Sequence, residues 1–450
     1  MKKDLTVGRP SRVLFRFSLP VIGGNLFQLF YTLADSVIVG RMLGENALAA
    51  VGSSSIIVYL VLCFIQGLSG GLGICLGQRC GAKDEAGMRR SVMTSWGLTL
   101  GFTVLLTAAG CLLARPVLFW MHTPEGIFAD AFAYLWVILA GTGATLFYNT
   151  ISNLLRALGD SRTPLIFLVL SSLGNIALDI LFIGPLNMGV AGAAWATVLS
   201  QLISAALCTL VGVKRYAQLR PSRLPRSLWK PEAAAHLCIA FPMGFQMSVM
   251  CIGQLAMQAA VNALGPSAIA GYTAATKADQ FSVLINGAFG IAIANYVAQN
   301  YGAGKYDRIR SGVAASLFQT ECANVFMAAV MLLLRREIVL LFVEQPTPAV
   351  LDYAAGYLIA VAPFYLLLGV LQIIRSAVQS MNDSRTPFFA CLIELAMRLL
   401  GTSALAALLG YTGVCLSSPL AWLGAVSLLV PVYFHKIHVL QRPSGIPCTL

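Results

Sequence analysis

The chain has 450 residues, 58% of them apolar and 11% charged, with a mean hydropathy of +0.79 and a formal charge of +12. Soluble domains run about 45–50% apolar and about 25% charged, so a water-soluble globular protein is excluded and lipid is the solvent that fits. The positive charge could suit nucleic acid, but its placement, given below, excludes that partner.

The start, MKKDLTVGRPSRVLFRF, is basic and leads into an apolar run with no small-x-small cleavage site, so no removed leader is expected. Twelve apolar windows follow, near 13–40, 47–72, 92–113, 127–152, 162–183, 189–213, 232–262, 272–299, 313–334, 350–376, 386–408 and 413–437. In lipid each backbone amide must be paired within its own segment, so these windows predict helices. They are too long, and alternate too little, for barrel strands.

The first helix carries Pro20, Tyr31 and Asp35. Asp35 lies five residues before Gly40, and a carboxylate inside a span is expensive. The second helix ends in GLSGGLGICLGQRCG (67–81), whose glycines recur every four residues; close helix packing explains this better than a nucleotide loop. The fifth helix carries Asn175 and Asp179, one turn apart, with Asp179 five residues before Gly184. At 1.5 Å per residue both acids lie about 7–8 Å below the expected outer helix ends, so they can meet across a cavity. Tyr31 sits one turn below Asp35, and Thr197 reaches a comparable level on the sixth helix. Carboxylate, amide and hydroxyl oxygens suit a shared proton or a hard cation such as Na⁺. Hydrogen bonds that merely tie the bundle are the competing reading.

The seventh helix has no acid over 240–262. It carries Met243, Met247, Met250 and Met257, with Gln254, Gln258 and Asn262 at four-residue spacing. Methionine surfaces adapt to varied apolar ligands, and ordinary core or lipid contact is equally open. Lys277 and Asp279 on the eighth helix do not share a face. GAGK at 302–305 lacks the flanking residues of a phosphate loop, so ATP is not expected as the energy source. Glu394 and Arg398 stand four apart on the eleventh helix and read as a self-neutralising pair. HKIH at 435–438 lies at a helix end without further ligands. No histidine is expected deep in a helix. The eleven cysteines show no paired spacing, so no disulfide or zinc site is expected, and no cofactor.

DSRTP occurs at 160–164 and again at 383–387. With an offset near 222 the halves align further: FSLP with IAFP, LGENALA with LGPSAIA, GQRCGAKDEAGMRRSV with AQNYGAGKYDRIRSGV. Each half has six helices, an even number, so the repeats are parallel and related by a pseudo-two-fold along the membrane normal. The expected lobes are 1–218 and 219–450, joined by the basic loop at 214–230. DSRTP is then one turn used twice, its Asp and Ser capping the next helix and its Pro starting it. With the N-terminus inside, 24 Lys and Arg fall on the inner side and four, Arg41, Arg115, Arg335 and Arg336, on the outer. That asymmetry predicts cytoplasmic termini in a multi-pass plasma (inner) membrane protein.

Gln299, Asn300, Gly302, Ala303, Gly304 and Arg308 in QNYGAGKYDR, with LRALGDSRTP and NMGVAGAAWAT, resemble the multidrug and toxic compound extrusion (MATE) transporters over nearly the whole chain. Within that family the chain is similar to the DinF-like branch. The resemblance implies an N-lobe cation or proton site at Asp35, Asn175, Asp179 and Thr197, with Tyr31 and Asn153 in the surrounding hydrogen-bond network. It also implies a bend of the first helix at Pro20, which physics allows, because proline removes a backbone bond. The NorM-like branch differs, with an acid on its seventh helix. The implied function is Na⁺- or H⁺-coupled export of amphiphilic or cationic drug-like compounds by a monomer. A lipid-linked saccharide flippase is the nearest alternative, though only Lys277 and Arg398 are basic within the expected helices. A membrane-embedded enzyme or a receptor is the alternative of another class.

Overall fold

The structure, a computed structural model, describes residues 4–222, 224–340 and 346–441. The expected cytoplasmic ends of the chain fall partly outside these. The described residues are helical throughout, without strands: α1 (Pro10–Leu43), α2 (Glu45–Gly81), α3 (Glu85–Trp120), α4 (Glu125–Ala140), α5 (Thr142–Ala157), α6 (Arg162–Ile183), α7 (Gly189–Arg215), α8 (Arg226–Asn262), α9 (Pro266–Gly302), α10 (Tyr306–Leu333), α11 (Arg335–Leu340), α12 (Pro348–Val361), α13 (Tyr365–Ser380), α14 (Arg385–Leu409) and α15 (Tyr411–Leu440). Eleven segments are long and apolar enough to cross a membrane, counting Pro348–Ser380 as one. The pair α4 and α5, bent by 42°, makes a twelfth. The bend falls at Gly141, where any Cβ would overlap the Val198 side chain, so glycine lets α7 approach.

Each predicted window lands on one span. The ends differ more than the windows. α1 does not stop at Gly40 but runs on to Leu43, because one glycine does not break a helix whose apolar pattern continues.

The chain divides into two compact units. One takes Gly23–Gly244; the other takes Leu5–Ile22 and the chain from Phe245 onward. These are not the two sequence halves divided at 218/219. The first parts of α1 and α8 have changed places, and each helix changes unit two residues after a proline, Pro20 in α1 and Pro242 in α8. Those prolines are equivalent in the repeat.

Within the first unit, Gly67 and Gly71 of α2 lie so close to α8 that an added Cβ would overlap Met243 O and the Ala240 backbone. The four-residue glycine spacing is a helix-packing face, as its pattern predicted. Glu232 at the start of α8 pairs with Arg79 at 2.5 Å and Arg90 at 3.2 Å. One turn on, His236 is fully buried, which corrects the expectation of no deep histidine. It meets Ser91 Oγ at 2.7 Å and the Glu232 carbonyl at 2.7 Å. With a carbonyl of its own helix and no carboxylate at Nδ1, and no solvent access, this serine–histidine contact fastens α3 to α8.

In the second unit QNYGAGKYDR holds the beginning of the chain. Gln299 Oε1 accepts from Leu5 N at 3.0 Å, and Lys305 Nζ donates to Thr6 O and Oγ1 at 3.1 Å. Arg308 donates to Gly8 O at 3.0 Å and to Asn300 Oδ1 at 3.1 Å. The motif is a backbone clamp, and its lysine is committed to it. Lys436 of HKIH is likewise committed, to Asp383 of the second DSRTP turn at 3.2 Å.

Candidate functional site

The site is built on α6. A helix places residues four apart on one face, and Asn175 and Asp179 occupy that face at 1% and 0% exposure. Asn175 Nδ2 lies 3.4 Å from Thr197 Oγ1 on α7. Asp35 comes from α1, half-buried, and its carboxyl is the side-chain neighbour of Asp179. Tyr31, one turn before Asp35, lies against it and against Gln201 of α7. Tyr134 of α4 completes the surround, within electrostatic reach of Asp35, Tyr31 and Asp179. Of the six expected residues, five therefore come together. Asn153 does not join them by any hydrogen bond found: it donates to Ser69 Oγ at 3.1 Å and Asn149 O at 3.0 Å, and receives Arg156 at 3.4 Å.

The chemistry follows from what these groups lack. Asp35 Oδ1, both carboxylate oxygens of Asp179, Asn175 Oδ1 and Gln201 Oε1 are buried and accept no hydrogen bond among the described residues. A buried acceptor left unsatisfied costs about 1–3 kcal/mol, more if charged. Two adjacent carboxylates in a low dielectric cannot both stay ionised without a counter-charge. The oxygens left without a partner are acceptors, so a proton or a hard cation satisfies them and a further acceptor would not. Among the described residues no three His, Cys, Asp or Glu side chains converge as a metal site. A cation here would rest on two carboxylates and the neutral oxygens of Asn175 and Thr197, a set that fits Na⁺.

The two carboxylates meet although their distances from the helix ends are not equal. Asp179 is four residues from the end of α6, whereas Asp35 is eight from the end of α1. Gln201 and Tyr134 were missed. Gln201 was within reach of pattern, standing one turn after Thr197 on α7. Tyr134 was not, because only the fold brings α4 here.

The expected substrate-cavity residues are scattered in role. Met243 packs on Gly70. Met250 Sδ accepts from Arg375 and Met257 Sδ from Ser418. Gln258 donates to Asn262 at 2.9 Å, and Gln254, Asn262 and Lys277 are exposed. Two acids of the second unit also stand inside helices. Asp279 of α9 accepts from Tyr365 at 2.6 Å and Tyr357 at 3.1 Å. Glu321 of α10 lies 3.4 Å from Asn324. Glu321 was missed, although a charge standing mid-window in FQTECANVF was signal enough to find it.

The profile of the MatE family matches residues 20–181 and 242–408. Among curated relatives, the probable multidrug resistance protein YpnP of Bacillus subtilis is 31% identical over 93% of this chain and 94% of its own. The probable multidrug resistance protein NorM of Thermotoga maritima is 26% identical over 79% of this chain and 77% of its own. Among solved structures, one described as the outward-facing conformation of a multidrug resistance MATE family transporter superposes with a TM-score of 0.90. It shares 22% identity and covers 98% of each chain.

Proposed function

The chain belongs to the multidrug and toxic compound extrusion family, and on that premise we propose that it is a cation-coupled antiporter of the DinF-like branch, exporting amphiphilic or cationic organic compounds. The names of its relatives support the cargo class. One observation carries the coupling: buried Asp35, Asp179 and Asn175 oxygens lie together with no donor to satisfy them. Two carboxylates with unsatisfied oxygens hold a proton or Na⁺ when they face the side of high concentration. They then release the ion on the other side, where the gradient favours dissociation.

Each residue has a role in that cycle. Asp35 and Asp179 bind the ion or share the proton. Asn175 and Thr197 supply neutral oxygens, and Tyr31 with Gln201 orients Asp35. Pro20 lies where α1 passes from one unit to the other, and its missing backbone bond lets the helix change shape as Asp35 loads and unloads. In this reading ATP takes no part, both termini face the cytoplasm, and the positive-inside charge sets that orientation.

The test is export from proteoliposomes under imposed Na⁺ or H⁺ gradients. Asp35→Asn and Asp179→Asn keep shape and remove charge, and each should abolish gradient-driven export in a correctly folded protein. Wild-type export with unchanged ion dependence in either variant would overturn the assignment.

A further inference from the structure

The second repeat carries a charged group of opposite sign at the position equivalent to the cation site proposed above for the first repeat. The two DSRTP turns fix the register at 223 residues. In that register Asn175 of α6 becomes Arg398 of α14, Asp179 becomes Thr402, Ser171 becomes Glu394, and Ser152 of α5 becomes Arg375 of α13. Two arginines and one glutamate stand where the first half has neutral residues, and a threonine stands where it has the acid.

All three are buried, with side chains 3%, 4% and 7% exposed for Arg375, Glu394 and Arg398. Glu394 bridges the two guanidiniums, 2.5 Å from Arg375 Nη2 and 3.2 Å from Arg398 Nη2. One carboxylate cannot balance two guanidiniums, so the group carries a net charge of +1 at membrane depth, where uncompensated charge is costly. The expected self-neutralising pair of Glu394 and Arg398 is therefore incomplete. Arg375, counted with the inner loops, is a member of a buried group of three. Donors are left over as well as charge: Nε of Arg375 and Nε of Arg398 have no hydrogen-bond partner among the described residues. Around Asp35 and Asp179 the unsatisfied buried atoms are acceptors; in this group of three they are guanidinium donors.

A cavity opens beside the group. It is lined by Glu394, Arg398 and Cys391 of α14 and by Met250 and Gly253 of α8, and holds about 10 Å³, about one water-sized occupant. Gly253 makes the room, since a Cβ there would stand 3.2 Å from Arg398 Cδ. A sulfate or phosphate is too large for it; a chloride or the carboxylate tip of a longer molecule exceeds one water and enters as the flexible Met250 side chain of the lining gives way.

We propose that Arg375, Glu394 and Arg398 form a binding site for a small monovalent anion, a halide or a single carboxylate, in the second unit. Arg398, which lines the cavity, donates to it, and Arg375 adds charge from behind Glu394. Glu394 holds the guanidiniums apart and competes with the ligand for them.

That competition separates a ligand site from a purely structural ion group. The full-length protein in nanodiscs of uncharged lipid is titrated with chloride, following ³⁵Cl line broadening. Wild type should broaden the line saturably. Arg398→Gln should remove the effect. Glu394→Gln, which removes the competing charge, should tighten chloride binding about tenfold, the size of one interaction of about 1.4 kcal/mol. Arg398→Lys keeps the charge without the fork and should bind chloride more weakly than wild type, which leaves the proposal testable if the glutamine variant does not fold. Acetate added at constant ionic strength distinguishes the source. Displacement of chloride marks a site for a carboxylate-bearing substrate, and no displacement marks a halide site. Absence of saturable broadening in wild type, or loss of binding in both Glu394→Gln and Arg398→Gln, would overturn the proposal.

Discussion

The duplicated DSRTP turn permits a comparison in which sequence is held constant and surroundings vary. Asp160 Oδ1 accepts from the amides of Arg162 at 3.1 Å and Thr163 at 3.0 Å; Oδ2 accepts from Thr163 Oγ1 at 2.6 Å and Tyr216 Oη at 2.9 Å. Asp383 caps its own turn through Thr386 N at 3.0 Å and Oγ1 at 2.9 Å, and its remaining partner is the half-exposed Lys436 at 3.2 Å. Replacing either by alanine removes a cap worth about 1 kcal/mol. Only Asp160→Ala also strands a buried tyrosine hydroxyl, since Tyr216 is 4% exposed, at a further cost of about 1–3 kcal/mol. The expected losses are about 3 kcal/mol at Asp160 and about 1–1.5 kcal/mol at Asp383, counting the exposed ion pair as small. Unfolding in mixed micelles with rising dodecyl sulfate, followed by tryptophan fluorescence, measures both. Equal losses, or a larger one at Asp383, would refute the reasoning. Burial alone would raise the Asp160 carboxyl, but the hydrogen bonds from Thr163, Tyr216 and Arg162 outweigh it and hold it below the usual range. A depressed native value makes this contribution present above the unfolded value near 3.9 and lost as pH falls below that through the native one. Burial would raise Asp383 too, but Thr386 and Lys436 hold it low as well, so the stabilisation from either carboxylate should be lost only in strong acid.

Two further outcomes follow from the fold. A cysteine at Ser222, in a background lacking the native cysteines, should be labelled by an impermeant thiol reagent only after the membrane is opened; labelling in intact cells would reverse the proposed orientation. Gly71→Ala places a Cβ into the Ala240 backbone, and overpacking of this kind costs about 1–3 kcal/mol; an unchanged unfolding midpoint in the same micelle assay would mean that α2 and α8 are not in contact.

The fold was legible because lipid leaves few choices. A window of twenty apolar residues must be a helix, and a repeated turn must recur at the same place in each half. What escaped was where helices bend or change company. α4 and α5 bend at Gly141 because Val198, more than fifty residues away, packs into the space. The first parts of α1 and α8 change units after Pro20 and Pro242, and an alignment of halves shows the prolines but not the exchange. The candidate site was legible to the extent that its members are charged or repeat at one turn. Asp35, Asn175, Asp179 and Thr197 carry that signal. Tyr134 carries none, and Asn153, taken from resemblance, belongs by its hydrogen bonds to Ser69 and Arg156.

The repeat itself separates what the backbone requires from what the chemistry requires. DSRTP survives in both halves because the turn needs an acceptor at its first position and a proline within the first turn of the helix that follows, whatever lies above it. The glycines of α2 face a helix that must come close, and backbone proximity tolerates no side chain. At membrane depth no such geometric demand applies, and there the halves diverge in sign: an amide and a carboxylate on α6, a guanidinium and a hydroxyl on α14. Charge in a span is costly, so neither arrangement persists by neutrality alone. The first group holds buried carboxylate and amide oxygens that lack donors, the second buried guanidinium nitrogens that lack acceptors. A protein that needed only to hold its helices together could have satisfied both sets internally, as it did with Asp279 between Tyr357 and Tyr365. Left open, both groups await partners that arrive from solution, as the proposed cation and anion sites require.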